Sequence, residues 1–178
     1  MQGDSALIEI YKNFGVETTF NNNSITLRKI NLQPTTYNLQ PTTYNLQPTT
    51  YNAQLNNTPD LAQTIIVTCF GLGLGCHLTG LHTLKIKETD RLQALENELT
   101  KLGAIVTTTD DAIILEPKTV INSDIKIETY NDHRMAMAFA PLALRVPITI
   151  IDAAVVSKSY PNFWNDLKSI GFQIADTL

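Results

Sequence analysis

Residues 92–108 read Leu-Gln-Ala-Leu-Glu-Asn-Glu-Leu-Thr-Lys-Leu-Gly-Ala-Ile-Val-Thr-Thr. Leu92, Leu95, Leu99 and Leu102 fall three or four residues apart, so they share one face of an α-helix. Gly103 suits the left-handed residue that ends such a helix, and the β-branched run after it suits an extended chain. The arrangement occurs twice more. Leu7, Ile10, Tyr11 and Phe14 precede Gly15 and Val-Glu-Thr-Thr-Phe; Phe163, Leu167 and Ile170 precede Gly171 and Phe-Gln-Ile-Ala. Gly15 and Gly103 stand further apart in sequence than Gly103 and Gly171.

The unequal spacing has a source. Residues 31–51 are three identical copies of Asn-Leu-Gln-Pro-Thr-Thr-Tyr, and leaving them out makes the two intervals nearly equal. The chain therefore reads as a unit recurring about every 68 residues, interrupted once. No charged residue falls between Lys29 and Asp60, although the whole chain holds 13 basic and 17 acidic side chains. Proline every seventh residue excludes a coiled coil. An exposed, flexible loop is expected over the repeats, with a β-ribbon or a recognition segment as alternatives, and deleting 31–51 is expected to leave the fold intact.

The second unit begins with a buried helix near 59–72, with Thr58 as N-cap, Pro59 at the first helical position and Asp60 in the first turn. A strand follows near 78–87, an amphipathic helix near 90–102, and strands near 104–109 and 112–116 around the Thr-Asp-Asp turn. The third unit predicts a helix near 131–145, a strand near 147–152, a helix near 159–170 and one further strand. The first lacks its opening helix and strand. A chain that starts and stops partway through units is expected to be part of something larger.

Composition narrows the class. The chain has 178 residues, 43% of them apolar, and a formal net charge of −4. That suffices for a sizeable core. With no basic run, it is not expected to bind nucleic acid, whose affinity comes from phosphate neutralisation. No apolar run predicts a membrane-spanning helix, and the N-terminus lacks the plan of a signal peptide. Cys69 and Cys76 sit in an apolar stretch and read as reduced core residues of a cytoplasmic protein, without a metal site. His77 and His82 read as surface or strand residues.

The charges gather where strands meet helices. Lys87-Glu88-Thr89-Asp90-Arg91 opens one helix. Asn131-Asp132-His133-Arg134 opens another, with Asn131 as its N-cap, and Ser157-Lys158-Ser159 precedes the last, with Ser159 as N-cap. Helix starts favour acidic residues, because free N–H groups already carry partial positive charge. Arg91 and Arg134 stand there against that preference. Two arginines and a lysine at helix starts predict an anion site, since backbone donors add to the side chains. The plainer reading is that Glu88, Asp90 and Asp132 pair with these bases as surface ion pairs. Because residues 135–144 are apolar on nearly every face, that helix is expected to be buried, placing Asp132, His133 and Arg134 at a cleft.

At Lys87-Glu88-Thr89-Asp90-Arg91 and Tyr130-Asn131-Asp132-His133-Arg134-Met135-Ala136-Met137 the sequence resembles the 5-enolpyruvylshikimate-3-phosphate synthase family. Gln2-Gly3-Asp4, Pro59-Asp60, Glu98-Leu99 with Lys101-Leu102-Gly103, and Lys158 followed by Pro161 add to the match. The resemblance covers the chain except residues 31–52 and aligns with only the C-terminal portion of that family. It implies an α+β fold of repeated βαβαββ units, three per domain. Residues 1–178 would then be a single C-terminal-type domain of roughly two and a half units, with a low-complexity insertion at 31–52. It also implies transfer of the carboxyvinyl group of phosphoenolpyruvate to the 5-hydroxyl of shikimate 3-phosphate, in a protein that is a monomer when complete and needs no metal or organic cofactor.

By resemblance, Asp60 takes the hydroxyl proton and Glu88 shuttles a proton at the vinyl carbon. Lys87, with Asp60 and Thr83, contacts shikimate 3-phosphate. Arg91, Arg134 and Lys158 hold phosphoenolpyruvate, and Asp132 and His133 orient Arg134. The family's other domain supplies further shikimate 3-phosphate and phosphoenolpyruvate ligands, and none of those motifs occurs here; the missing N-terminal domain is an implied partner. Two other readings stay open: an enolpyruvyl transferase acting on UDP-N-acetylglucosamine, and a non-catalytic binding remnant.

Overall fold

Thr50–Gln54 and Gly75–Thr79 run side by side as parallel strands, Thr50 opposite Gly75 and Gln54 opposite Thr79. This pairing supplies the opening strand missing from the sequence reading of the second unit. The computed structural model describes residues 3–30, 50–87 and 89–175. They fall into two compact units, divided after Gln47.

In the first unit, α1 (Leu7–Lys12) leads through Gly15 into the antiparallel hairpin of β1 (Val16–Asn21) and β2 (Ser24–Lys29). In the second unit, β3 (Thr50–Gln54) is followed by a 3-10 turn at Pro59–Leu61, α2 (Ala62–Leu72) and β4 (Gly75–Thr79). Then come a 3-10 turn at His82–Ile86, α3 (Arg91–Lys101), β5 (Val106–Thr108) and β6 (Ala112–Leu115). The order β3-α2-β4-α3-β5-β6 is one complete βαβαββ unit. Its strands lie in the order β3-β4-β6-β5, with β6 antiparallel to both neighbours. A second round starts with β7 (Ile125–Ile127), α4 (His133–Phe139), β8 (Ile148–Ile150) and α5 (Phe163–Ser169), with β7 parallel to β8.

Gly15, Gly103 and Gly171 all have positive φ, at 82°, 93° and 105°, as the repeat required of them. α2 buries seven of its eleven residues, including Ile65, Ile66 and Phe70. α3 turns Leu92, Leu95 and Leu99 inward. α4 packs on α2 and buries Met135, Ala136 and Phe139, and the contact between the two helices brings the helix starts of two successive repeats together.

Several boundaries differ from the sequence reading. The strand expected at 78–87 ends at Thr79, because Gly80 takes φ +78° and its N–H donates to the Asp111 carboxylate; residues 82–86 then coil as a 3-10 turn. The helix expected over 131–145 is α-helical only at 133–139 and tightens into a 3-10 turn around Pro141. Its N-cap is Asp132. Asn131 has φ +58°, outside the extended range that a capping residue adopts. The helix expected from 159 starts at Phe163, beyond Pro161, and Ser159 instead closes the 3-10 turn Ala153–Lys158. Thr58 makes no side-chain cap, residues 172–175 form no strand, and β7 was not foreseen.

The interruption expected over 31–52 ends earlier, because Thr50, Tyr51 and Asn52 are rungs of β3. The remaining repeat residues, 31–49, lie outside the described residues. Residues 30–49 join β2 to β3, whereas 116–124 suffice to join β6 to β7. Both cysteines are free and buried; the hydrogen bond with the neighbouring Cys69 thiol, and then burial, push the Cys76 thiol far above its usual range. His77 and His82 are exposed, and His82 Nδ1 lies 3.3 Å from Asp111. Among the described residues no helix is long and apolar enough to cross a membrane.

Two outcomes follow from these connections. Removing one repeat copy, residues 31–37, leaves a link longer than 116–124 and should hold the melting temperature within about 2 °C. Removing 31–51 deletes two rungs of β3 and should lower it by roughly 5 °C or more. Acid should weaken the turn that binds β4 to β6. The Lys85 ammonium, 2.5 Å away, holds the Asp110 carboxyl below its usual range. For Asp111, burial pushes upward, but bonds from the His82 and Gly80 N–H groups outweigh it and lower the carboxyl. Folded values below the unfolded value of about 3.9 mean that this stabilisation is present above that pH and is lost as pH falls through the folded values. Urea midpoints measured from pH 5 downward should drop, and less steeply in Asp110→Asn with Asp111→Asn.

Candidate functional site

Asp60 stands at the turn before α2 because Pro59 presets the first helical φ. Its side chain is about one-third exposed, and three cationic residues converge on it. Arg91, the first residue of α3, donates from Nη1 to Asp60 Oδ1 at 2.8 Å. Lys87 Nζ lies 3.4 Å from the same oxygen. Arg134, on the first turn of α4, donates from Nη1 to the Asp60 carbonyl at 3.3 Å.

Beneath them lies a buried pair. Arg91 is 2% exposed and Asp132 not at all, and Arg91 Nε donates to Asp132 Oδ2 at 2.6 Å. Asp132 Oδ1 caps α4 by accepting from the Arg134 N–H at 2.8 Å, and Gln63 Nε2 donates to Oδ2 at 3.3 Å. His133 Nδ1 is 4.0 Å from Asp132 Oδ1. Lys158 donates to the Asn131 carbonyl at 2.9 Å and to its side-chain oxygen at 2.8 Å, next door to Asp132. Asp90 binds none of the bases in these contacts. It caps α3 by accepting from the N–H groups of Leu92 and Gln93.

The structure thus gathers Asp60, Lys87, Arg91, Asp132 and Arg134 at one place, with His133 and Lys158 adjoining. Thr83 makes no hydrogen bond to this group; its Oγ1 is buried and unpartnered among the described residues. Glu88 lies outside the described residues. The Arg91–Asp132 pair is not the surface ion pair of the plainer reading, because both members are buried. Four cations face two carboxylates among the described residues, an excess suited to a polyanion. Gln63 escaped the sequence reading, although a glutamine inside the apolar run 61–70 was a visible signal. Asn131, expected as a cap, is instead the acceptor for Lys158. Among the described residues no group of His, Cys, Asp and Glu is arranged to hold a metal ion.

The family model for EPSP synthase (3-phosphoshikimate 1-carboxyvinyltransferase) matches residues 1–167. The chain belongs to the EPSP synthase family. A 3-phosphoshikimate 1-carboxyvinyltransferase of Bacteroides fragilis (strain YCH46) is 41% identical over 176 residues, covering 97% of this chain and 40% of the relative. A protein of the same name from Methanospirillum hungatei JF-1 is 35% identical over 170 residues, covering 95% and 36%. The solved EPSP synthase of Acinetobacter baumannii superposes with a TM-score of 0.70 at 25% identity, over 98% of this chain and 40% of that one. The chain therefore has the α+β fold of EPSP synthases in partial copy, and it spans about 40% of the length of the first of these relatives.

Cutting the buried pair should be costly. Asp132→Ala leaves Arg91 charged in a dry site and removes the α4 cap, so urea denaturation should show a loss of about 3–5 kcal/mol. Asp90→Ala, which removes only a cap, should lose about 1 kcal/mol.

Proposed function

We propose that this chain supplies one side of a site that transfers the carboxyvinyl group of phosphoenolpyruvate to the 5-hydroxyl of shikimate 3-phosphate. Family membership supports the reaction class, and the convergence of Lys87, Arg91 and Arg134 on Asp60 is the observation that carries the reading. Phosphoenolpyruvate presents a phosphate and a carboxylate close together, which calls for several fixed cations. Arg91, Arg134 and Lys158 are assigned to it, Lys87 and Thr83 to shikimate 3-phosphate, and Asp132 and His133 to orienting Arg134. Residues 1–178 are read as a single C-terminal-type domain, and residues outside this stretch complete the cleft. Two buried free thiols support a reducing, cytoplasmic setting.

The reaction needs two proton movements. The hydroxyl oxygen attacks C2 of phosphoenolpyruvate while its proton passes to a base and C3 gains a proton. C3 then loses a proton as the C2–O bond to phosphate breaks, which restores the double bond. Asp60 is assigned the first proton and Glu88 the exchange at C3. An anion reaching Lys87 and Arg91 competes with Asp60 for the same N–H groups. The carboxylate it displaces is the one assigned to take the proton.

A steady-state assay of phosphate release with both substrates tests the reading. The chain alone should show no turnover at ordinary enzyme rates, since half a cleft neither excludes water nor fixes two substrates. Adding the separately expressed N-terminal portion of a relative should restore it, and stable association without activity would favour a binding remnant. In the restored enzyme, Asp60→Ala should lower kcat by about a hundredfold or more with little change in KM. Arg134→Ala should raise KM for phosphoenolpyruvate first, and an unchanged KM would remove Arg134 from its assigned role.

A further inference from the structure

Just before Asp132 the backbone does something expensive. Tyr130 and Asn131 are consecutive non-glycine residues in the left-handed region, at φ +53° and +58°. Asparagine tolerates this conformation, but an aromatic residue is held there only by its surroundings.

A buried carboxylate holds it. Glu98, on α3, is fully buried. Its Oε1 accepts from the Tyr130 hydroxyl at 2.7 Å, its Oε2 from the Glu128 N–H at 3.1 Å, and both from Lys101 at 2.8 Å. Asn97 Nδ2 donates to the same Tyr130 hydroxyl at 3.4 Å. Arg91 lies two helical turns away on α3, on the same face, and grips Asp132. One helix therefore clamps the 128–132 segment at both ends, and the left-handed turn lies between the clamps. From that turn the Asn131 carbonyl and side chain receive Lys158, and directly after it Asp132 caps α4 beneath Arg134.

We propose that Glu98 and Tyr130 are positioning residues of the anion site, holding the Tyr130–Asn131 turn left-handed so that Lys158, Arg91 and Arg134 converge. Neither touches the ligand; each acts through the backbone. The proposal deepens the phosphoenolpyruvate reading and rests on it for the identity of the ligand. Helix propensity and α3 packing alone do not explain the arrangement, because a carboxylate at position 98 is removed from water only to accept from residues 128 and 130 and from Lys101.

Titrating phosphoenolpyruvate into the full chain by NMR tests this, with the Asn131 amide–Hα coupling and Cα shift as reporters of φ. Tyr130→Phe removes the hydroxyl's two hydrogen bonds, to Glu98 and from Asn97, and keeps the strain. It should weaken binding about fivefold and move the Asn131 signals away from left-handed values. Tyr130→Gly loses the same hydroxyl and the whole ring, yet adopts the left-handed φ without strain, so it should bind more tightly than Tyr130→Phe. A phenol that contacts ligand, or merely stabilises the fold, requires the opposite order. Glu98→Gln should follow Tyr130→Phe in direction. Should that variant fail to fold, the two Tyr130 variants decide alone. Unchanged affinity and unchanged Asn131 signals in Tyr130→Phe would overturn the proposal, as would weaker binding by Tyr130→Gly than by Tyr130→Phe. Wild-type protein that does not bind phosphoenolpyruvate would remove the ligand assignment only. The response of the Asn131 signals to Tyr130→Phe would still decide whether the clamp exists.

Discussion

Arg91 cannot shed its charge, and it is nearly removed from water. That constraint organises everything around it. A buried guanidinium needs carboxylates at hydrogen-bonding distance, or desolvation outweighs what burial gains. Asp132 meets the need on the inner side and Asp60 on the outer. Asp132 is committed twice more, to the α4 N-terminus and to Gln63 on α2. One ion pair therefore ties the starts of three helices together. Those helix starts bring two further cations with them, Lys87 ahead of α3 and Arg134 on α4.

The repeat explains why three helix starts lie within reach of one another. In each βαβαββ copy the chain leaves a strand and enters a helix at a similar place, and packing α4 on α2 sets successive copies side by side. Charged residues written into the strand-to-helix junctions of two copies consequently meet. The tandem Asn-Leu-Gln-Pro-Thr-Thr-Tyr copies occupy the connection between β2 and β3, where extra length costs little entropy. They stop where the third copy turns into β3.

The features legible in the sequence were those carried by local chemistry. The apolar spacing of Leu92, Leu95 and Leu99, the glycines at the helix ends, and the Asp-Asp turn between β5 and β6 all depend on neighbours a few residues away. The grouping of bases at helix starts was equally visible. Errors clustered where long-range contacts decide. The strand expected at 78–87 looked extended by pattern, but Asp111, distant in sequence, accepts from the Gly80 and His82 N–H groups and turns the chain. Asn131 looked like a cap by residue type, but Glu98 and Tyr130 hold it left-handed and pass the cap to Asp132. β3 was hidden because its first residues belong to a repeat with no strand pattern of its own, and only β4 draws them out.

The sequence by itself determined the repeating unit, the helix faces and the kinds of charge at the helix starts, because periodicity, capping and macrodipole preferences act within a turn or two of chain. The tertiary structure decided which acid meets which base. Asp60 was legible as an acid in a first turn. That it receives Arg91 and Lys87 on its carboxylate and Arg134 on its carbonyl depends on α3 and α4 both packing on α2. Hydrogen bonds reach about 3 Å, whereas these partners stand tens of residues apart along the chain, and only folding closes that distance.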